Sequence, residues 1–182
     1  MMDVLETKRL ILRLLRLEDA ARTQELFPQW EIVKYLNAVV PWPYPEGGAP
    51  AFYRDAALPA MKRGQSWHWT LRLKESPAEH IGSIGLMRTE NNNRGFWLGL
   101  EWQGRGLMTE AVGAANDYWF GVLGMSVRAP KAVENVASRR ISEKTGMRMA
   151  GTEMRDYVSG RLLSEIWEIT AEEWREWKAK HP

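Results

Sequence analysis

The sequence predicts a single α+β domain. Three observations carry that prediction. Apolar residues alternate with a period of two through residues 67–73, and a second extended run, 81–87, follows the Ser76-Pro77 break as an antiparallel partner. They recur at spacings of three and four from Met108 to Val122, and two further extended runs close the chain around a Ser159-Gly160 turn. An antiparallel meander followed by helix, strand, helix and hairpin is an α+β order, not the strict strand–helix alternation of a parallel sheet. The 182 residues, 45% of them apolar, suffice for one core, and no repeat or linker divides them, so the domain is expected to span 1–182.

Taken in order, Lys8 to Leu14 mixes alternation with apolar bulk and reads as a first strand. Glu18-Asp19 then opens a helix to about Phe27. Pro41-Trp42-Pro43-Tyr44-Pro45 is a loop, because each proline lacks an N–H and restricts the residue before it. A helix from about Ala49 to Lys62 follows, with Pro59 expected to kink or shorten it. In the next strand Trp67, Trp69, Leu71 and Leu73 share one face, and His68, Thr70 and Arg72 the other. Ile81 to Met87 pairs with it, Asn91-Asn92-Asn93 turns the chain, and Gly95 to Leu100 completes the meander. After the Met108–Val122 helix come a strand near Val127, a helix from Asn135 to Thr145, strands Arg148–Tyr157 and Leu162–Ile169, and a terminal helix over Glu172–Lys178.

Composition excludes several kinds of chemistry. The chain has no cysteine, which removes disulfide scaffolds, thiolate nucleophiles, zinc–thiolate sites and a protein-bound thioester; no metal site is expected. A formal net charge of +2 is no nucleic-acid footprint, and the aromatic residues are not interleaved with a basic stripe, so no nucleic-acid partner is expected. The apolar run from Ile11 to Leu17 is broken by Arg13 and Arg16, no stretch approaches the ~20 residues of a membrane span, and Met1-Met2-Asp3 opens no signal peptide. A cytoplasmic protein with no membrane partner is the resulting expectation.

The segment with most chemical content is Gln103-Gly104-Arg105-Gly106-Leu107-Met108-Thr109, between a strand and a helix. Unpaired helix N–H groups and the positive end of the macrodipole meet there, and two glycines let the backbone approach a phosphate closely. Arg105 adds a screened charge. Each dipole contribution is only ~0.3–1 kcal/mol, so several N–H contacts must act together. A tight turn without a ligand accounts for the two glycines equally well. No Gly-Lys-Ser/Thr follows and the three-glycine dinucleotide fingerprint is missing, which argues against ATP and NAD.

Gln103-Gly104-Arg105-Gly106-Leu107-Met108 resembles the Gln/Arg-x-x-Gly-x-Gly/Ala motif of the GCN5-related N-acetyltransferase (GNAT) superfamily. Leu5-Glu6-Thr7-Lys8-Arg9-Leu10-Ile11-Leu12-Arg13, the Pro41–Pro45 loop, Thr109-Glu110-Ala111, Asn135-Val136-Ala137-Ser138-Arg139 and Glu143-Lys144-Thr145-Gly146-Met147 resemble its ribosomal-protein N-acetyltransferase branch. The resemblance implies a mixed sheet of about seven strands with splayed fourth and fifth strands and about four flanking helices. It implies acetyl transfer from acetyl-CoA to an amine by direct attack in a ternary complex, with CoA as product. Backbone near Leu98 and Leu100 would pair with pantetheine, residues Gln103 to Thr109 would hold the diphosphate, and Asn135 would both cap its helix and contact pantetheine. Asp156 matches the branch's acidic base and Ser138 its hydroxyl acid; solvated hairpin and ordinary helix capping are the structural alternatives. Four departures stand out: Met108 where a small residue is usual, Met147 for Phe, Pro130 inside a strand, and Ser142 where many members carry tyrosine.

Trp30, Trp42 and Tyr44 fall in the region that lines the acceptor side of the resembling family, and they suggest a ring-walled pocket or, equally, a plug for the loop. A protein N-terminal α-amine or a small amine is the expected acceptor. A polyamine is disfavoured because Leu36 to Tyr44 carries no acid. A non-catalytic acyl-CoA-binding module is the alternative. A monomer or homodimer fits either reading. His68, alone between two tryptophans, reads as structural. Between Arg128 and Arg148 six basic residues face two acidic ones, a surplus that suits the 3′-phosphate of CoA or a solvated face.

Overall fold

The computed structural model describes residues 4–181. The Met1-Met2-Asp3 opening read above lies outside them. Five strands form an antiparallel sheet in chain order: β1 (Val4–Glu6), β2 (Leu10–Leu14), β3 (Ser66–Leu73), β4 (Gly82–Met87) and β5 (Arg94–Leu98). A second antiparallel sheet is built from β6 (Val127–Ala132), β7 (Arg148–Tyr157) and β8 (Gly160–Ile169), with β8 in the middle. The single mixed layer expected from the resemblance is therefore two sheets, with eight strands among the described residues. The extra strand, β1, has three residues, too few for a period to show.

Helices α1 (Ala20–Leu26), α2 (Trp30–Val33), α3 (Gly48–Phe52) and α4 (Leu58–Lys62) precede β3. Helices α5 (Leu107–Tyr118), α6 (Val136–Lys144) and α7 (Ala171–Lys180) follow the meander. The expected 49–62 helix is α3, a π-helical turn over Tyr53–Ala57, and α4. Pro59 follows that turn directly, where the Leu58 N–H reaches back five residues to the Tyr53 carbonyl, so the helix widens at the proline and does not end there.

The meander is covered on both faces. On one side α5 buries Leu107, Met108, Ala111, Val112, Ala115 and Tyr118; Tyr118 meets Trp69 edge-on at 5.4 Å and Trp119 meets Trp67 at 5.7 Å. On the other, Tyr53, Ala57 and Met61 pack with Leu15 and Ala20. The second face is also polar. Asp19 takes hydrogen bonds from Arg72 at 2.5 Å and Arg13 at 2.7 Å, and Thr23 joins Tyr53 and His80. This is why His68, Thr70 and Arg72 alternate with apolar residues yet avoid solvent. The His68 ring lies against Gly85, where a Cβ would stand 2.5 Å from Nδ1, and burial pushes its pKa down to about 4.

The two sheets meet at β5 and β6 in a V. At its closed end Asn93 joins them: its N–H donates to the Arg128 carbonyl at 3.0 Å, and its Oδ1 accepts from the Arg128 N–H at 2.9 Å. Beyond that point the described strands share no ladder. Pro130 lies on β6, an edge strand of its sheet, where a lost N–H facing the gap breaks no ladder bond.

Gly146 ends the α6 region at φ +74°, and a Cβ there would lie 2.4 Å from the Trp177 ring. Gly146→Ala is therefore expected to strain the backbone and displace the α7 tryptophan. The cost should be about 1–3 kcal/mol, read as a lowered Tm in thermal unfolding.

Candidate active site

The open end of the V is a cleft of about 540 Å³. One wall is Phe96, Trp97 and Leu98 of β5. The other is Asn135, Ser138, Arg140, Ile141 and Lys144 at or on α6. The floor is the α5 N-terminus, with Gly104, Gly106, Met108 and Thr109, and Glu31, Lys34 and Tyr35 close the remaining side.

The floor has the form of an anion cradle. Gly104 and Gly106 adopt φ +73° and +76°, left-handed values that a side chain rarely tolerates. Gly106 is the N-cap of α5 and supplies no side-chain acceptor, so the first helical amides, from Leu107 to Thr109, face the cleft end without an intrahelical partner. A rigid frame holds the cradle. Glu110 accepts from the Thr7 hydroxyl, from the Arg9 N–H at 2.7 Å and from Arg9 Nε at 2.8 Å, while Arg9 also donates to the Arg105 carbonyl at 3.0 Å. Burial alone would raise the Glu110 pKa, but these donors outweigh it and hold the carboxyl below its usual value. Glu110 is thus a structural hub between the β1–β2 turn and α5.

The sequence-derived residues are distributed unevenly. Leu98, Gln103, Gly104, Gly106, Leu107, Met108, Thr109, Asn135 and Ser138 all line the cleft. Gln103 donates to the Leu98 carbonyl at 2.8 Å, and Met108 turns its side chain into the core, so its bulk does not fill the cradle. Leu100 and Arg105 lie outside the lining, with Leu100 40% exposed.

Asp156 also lies off the cleft wall, exposed on β7; its carbonyl accepts from Ala38 at 3.2 Å, tying it to the loop after α2. Trp30 and Trp42 pack against each other in a tilted pair, ring centroids 5.5 Å apart, outside the cleft. Tyr44 packs behind it, against Phe27, which in turn meets the cleft-lining Trp97 at 5.3 Å. Ser142, at the position where many superfamily members carry tyrosine, is fully buried.

Sequence reasoning passed over Glu31, Lys34 and Tyr35, because the four-residue α2 is too short to show a period. It also passed over Lys131, a lysine on the same face of β6 as Val127 and Ala129, and that pattern was visible. Lys131 Nζ donates to Ser138 Oγ at 2.9 Å, and burial, seconded by the nearby Arg94 guanidinium, holds its pKa well below that of ordinary lysine. Arg94, itself pushed down to about 10 by burial, donates to Asn116 Oδ1 and to the Met147 sulfur at 3.0 Å. Methionine at 147 thus offers this guanidinium an acceptor that phenylalanine would not. Of the six basic residues from 128 to 148, Arg140 and Lys144 reach the cleft. Arg128 pairs with Glu168, Arg139 with Glu165, and Arg148 with Glu168 and Glu173.

A second cavity, of about 570 Å³, lies at the closed end of the V. Its Arg128 and Arg148 are paired with glutamates, and Thr170 caps the α7 N-terminus beside it. The first cleft, with its unpaired helix amides, is therefore the candidate site.

The family described as Acetyltransferase (GNAT) domain matches residues 9–148. The chain belongs to the GNAT acetyltransferase family. The enzyme is 30% identical over 169 residues to "Uncharacterized N-acetyltransferase p20" of Bacillus licheniformis, covering 89% of this chain and 92% of that one. Its fold matches Mycobacterium smegmatis RimJ in complex with CoA-disulfide, with a TM-score of 0.79 at 19% identity over 93% and 88% of the two chains. It also matches the spermidine N-acetyltransferase of Vibrio cholerae in complex with CoA and spermine, with a TM-score of 0.75 at 18% identity over 91% and 98%. Acetyl-CoA is the co-substrate of this family, and the enzyme is an acetyl-CoA-dependent acetyltransferase. None of its described helices is long and apolar enough to cross a membrane.

Proposed function

We propose that this acetyltransferase moves the acetyl group of acetyl-CoA directly to the α-amine of a peptide N-terminus or to the primary amine of a small molecule. The observation that carries the reading is the join of an uncapped helix N-terminus to a narrow cleft that reaches a serine hydroxyl. In this reading the amides from Leu107 to Thr109, with Gly104 and Gly106 exposing the backbone and Gln103 and Arg105 beside them, hold the diphosphate. Backbone at Leu98, and Leu100 at its margin, pairs with the pantetheine arm opposite Asn135. The site then places the thioester carbonyl beside the incoming nitrogen. Ser138 protonates the departing thiolate.

Asp156 as base rests on the resemblance. The demand on any base here is small for an α-amine: one with a pKa near 8 needs only about 1.4 kcal/mol to be neutral at pH 7, against roughly 4.6 for a lysine. Trp30, Trp42 and Tyr44 would act as outer walls of the acceptor side, Tyr44 through Phe27 and Trp97. At that side Glu31 is paired with Lys34, which leaves Glu134 as the other carboxylate among the described residues of the cleft lining, one acid and not a cluster for a polycation.

Release of CoA thiol from acetyl-CoA, measured with peptides beginning in alanine or serine, with spermidine and with simple primary amines, tests the reading. The expected outcome is turnover that favours an α-amine or monoamine over spermidine. A preference for spermidine would overturn the acceptor class. Acetyl-CoA binding without turnover on any amine would favour a non-catalytic CoA-binding module.

A further inference from the structure

We propose that Lys131 is a positioning residue for acyl transfer: it orients the Ser138 hydroxyl toward the cleft and replaces that hydroxyl's proton as the CoA thiolate takes it. The inference rests on Ser138 being the acid of the proposed reaction.

The geometry is specific. Lys131 on β6 is 6% exposed and Ser138 on α6 is 8% exposed, yet their polar atoms meet at 2.9 Å with the lysine donating. A hydroxyl has one proton to give and two lone pairs to receive with. The Lys131 N–H occupies a lone pair, so the serine proton is left free, and the cleft is what Ser138 faces.

Nothing else accounts for the ammonium. Among the described residues Lys131 forms no ion pair, and its other close contact is the Phe96 ring at 5.1 Å. Every charged neighbour is committed elsewhere or repels it. Arg94 of β5 stands by the same ring at 6.0 Å and donates to Asn116 of α5. Glu165, opposite Lys131 on β8, is held by Arg139 of α6 at 2.6 and 2.8 Å and by Trp167 at 3.0 Å. An aliphatic side chain of the same length would fill the space without the desolvation cost.

The step balances without an added reactant. The amine nitrogen bonds to the carbonyl carbon and the C–S bond breaks, its electron pair going to sulfur. Sulfur takes the Ser138 proton, Ser138 Oγ takes one from Lys131 Nζ, and the amine's surplus proton leaves to solvent. Lys131 regains a proton from water once the CoA thiol departs. A lysine whose pKa is lowered by burial is the better acid for this, because it gives up its proton more readily than an ordinary lysine. The sign follows: the acid form is the ammonium, so turnover falls as pH rises through that lowered value, earlier than an ordinary lysine would allow.

The test uses Lys131→Met, with CoA release from acetyl-CoA and a peptide beginning in alanine, and with basal acetyl-CoA hydrolysis in parallel. The expected result is a fall in kcat of about tenfold or more, KM for acetyl-CoA within about twofold, and loss of the alkaline limb of the kcat–pH profile. Unchanged kcat with the limb retained overturns the inference, as does a loss expressed only in KM. Because the chain has no cysteine, Lys131→Cys can also be alkylated at that site alone in denaturant and refolded, giving a thioether lysine analogue with a less basic amine. It should restore turnover and move the alkaline limb to lower pH. Restored turnover with the limb unmoved, or no restoration in refolded protein, would show a merely structural lysine. Ser138→Ala separates the two levels. If it leaves kcat unchanged, the acid assignment itself fails; if it lowers kcat while Lys131→Met does not, only the role of Lys131 fails.

Discussion

Gly106→Val is expected to raise the Kd for acetyl-CoA at least tenfold, about 1.4 kcal/mol, in calorimetric titration, while the domain stays folded. Gly106 holds φ +76° at the cap of α5, and a β-branched residue is a genuine outlier there. A valine Cβ would meet only Arg9 Nη2, at 3.5 Å, so crowding is not the cause. The backbone must instead relax toward negative φ, which turns the first amides of α5 away from a common point. Each charge-assisted hydrogen bond lost is worth roughly 1.5–3 kcal/mol, so losing one accounts for the expected change. Gly106 is exposed and outside the core, and its circular dichroism spectrum should therefore match that of the parent. Unchanged affinity would mean that the phosphates bind elsewhere.

Ser138→Ala is expected to lower kcat by about 10²-fold with little change in KM for acetyl-CoA. The substitution spares the cap of α6, because the bond to Asn135 Oδ1 comes from the Ser138 backbone N–H at 3.2 Å. It removes the only hydroxyl that both lines the cleft wall of α6 and meets Lys131. It also leaves Lys131 without its acceptor, which should cost about 1–3 kcal/mol of stability. The Tm must therefore be read beside the rate. A variant that loses stability and keeps its kcat would reduce Ser138 to a structural role.

How much of this could be read from the chain alone depended on local signals. The meander, α5, α6 and the closing hairpin were legible because their apolar residues repeat at the period of the element and bury one face. The cradle was legible because its two glycines stand at a strand–helix junction. The division into two sheets was not. Where the two sheets join is marked by Asn93, whose side chain bridges to a strand more than thirty residues away, and Asn91-Asn92-Asn93 carries only a turn signal.

The acceptor side was the least legible region. Trp30 and Trp42 pack on each other as a tilted pair, while the residues that reach the cleft come from α2, which is four residues long, and the turn that follows it. Lys131 needed tertiary information of another kind. Its charge conflicts with the strand pattern around it, and only the packing of β6 against α6 shows which hydroxyl it serves.

The most direct test of the account is a crystal structure of the enzyme with CoA. The diphosphate oxygens are expected within about 3 Å of the amide nitrogens from Leu107 to Thr109, with the sulfur beside Ser138. A diphosphate bound anywhere else, with those amides turned to solvent, would contradict it.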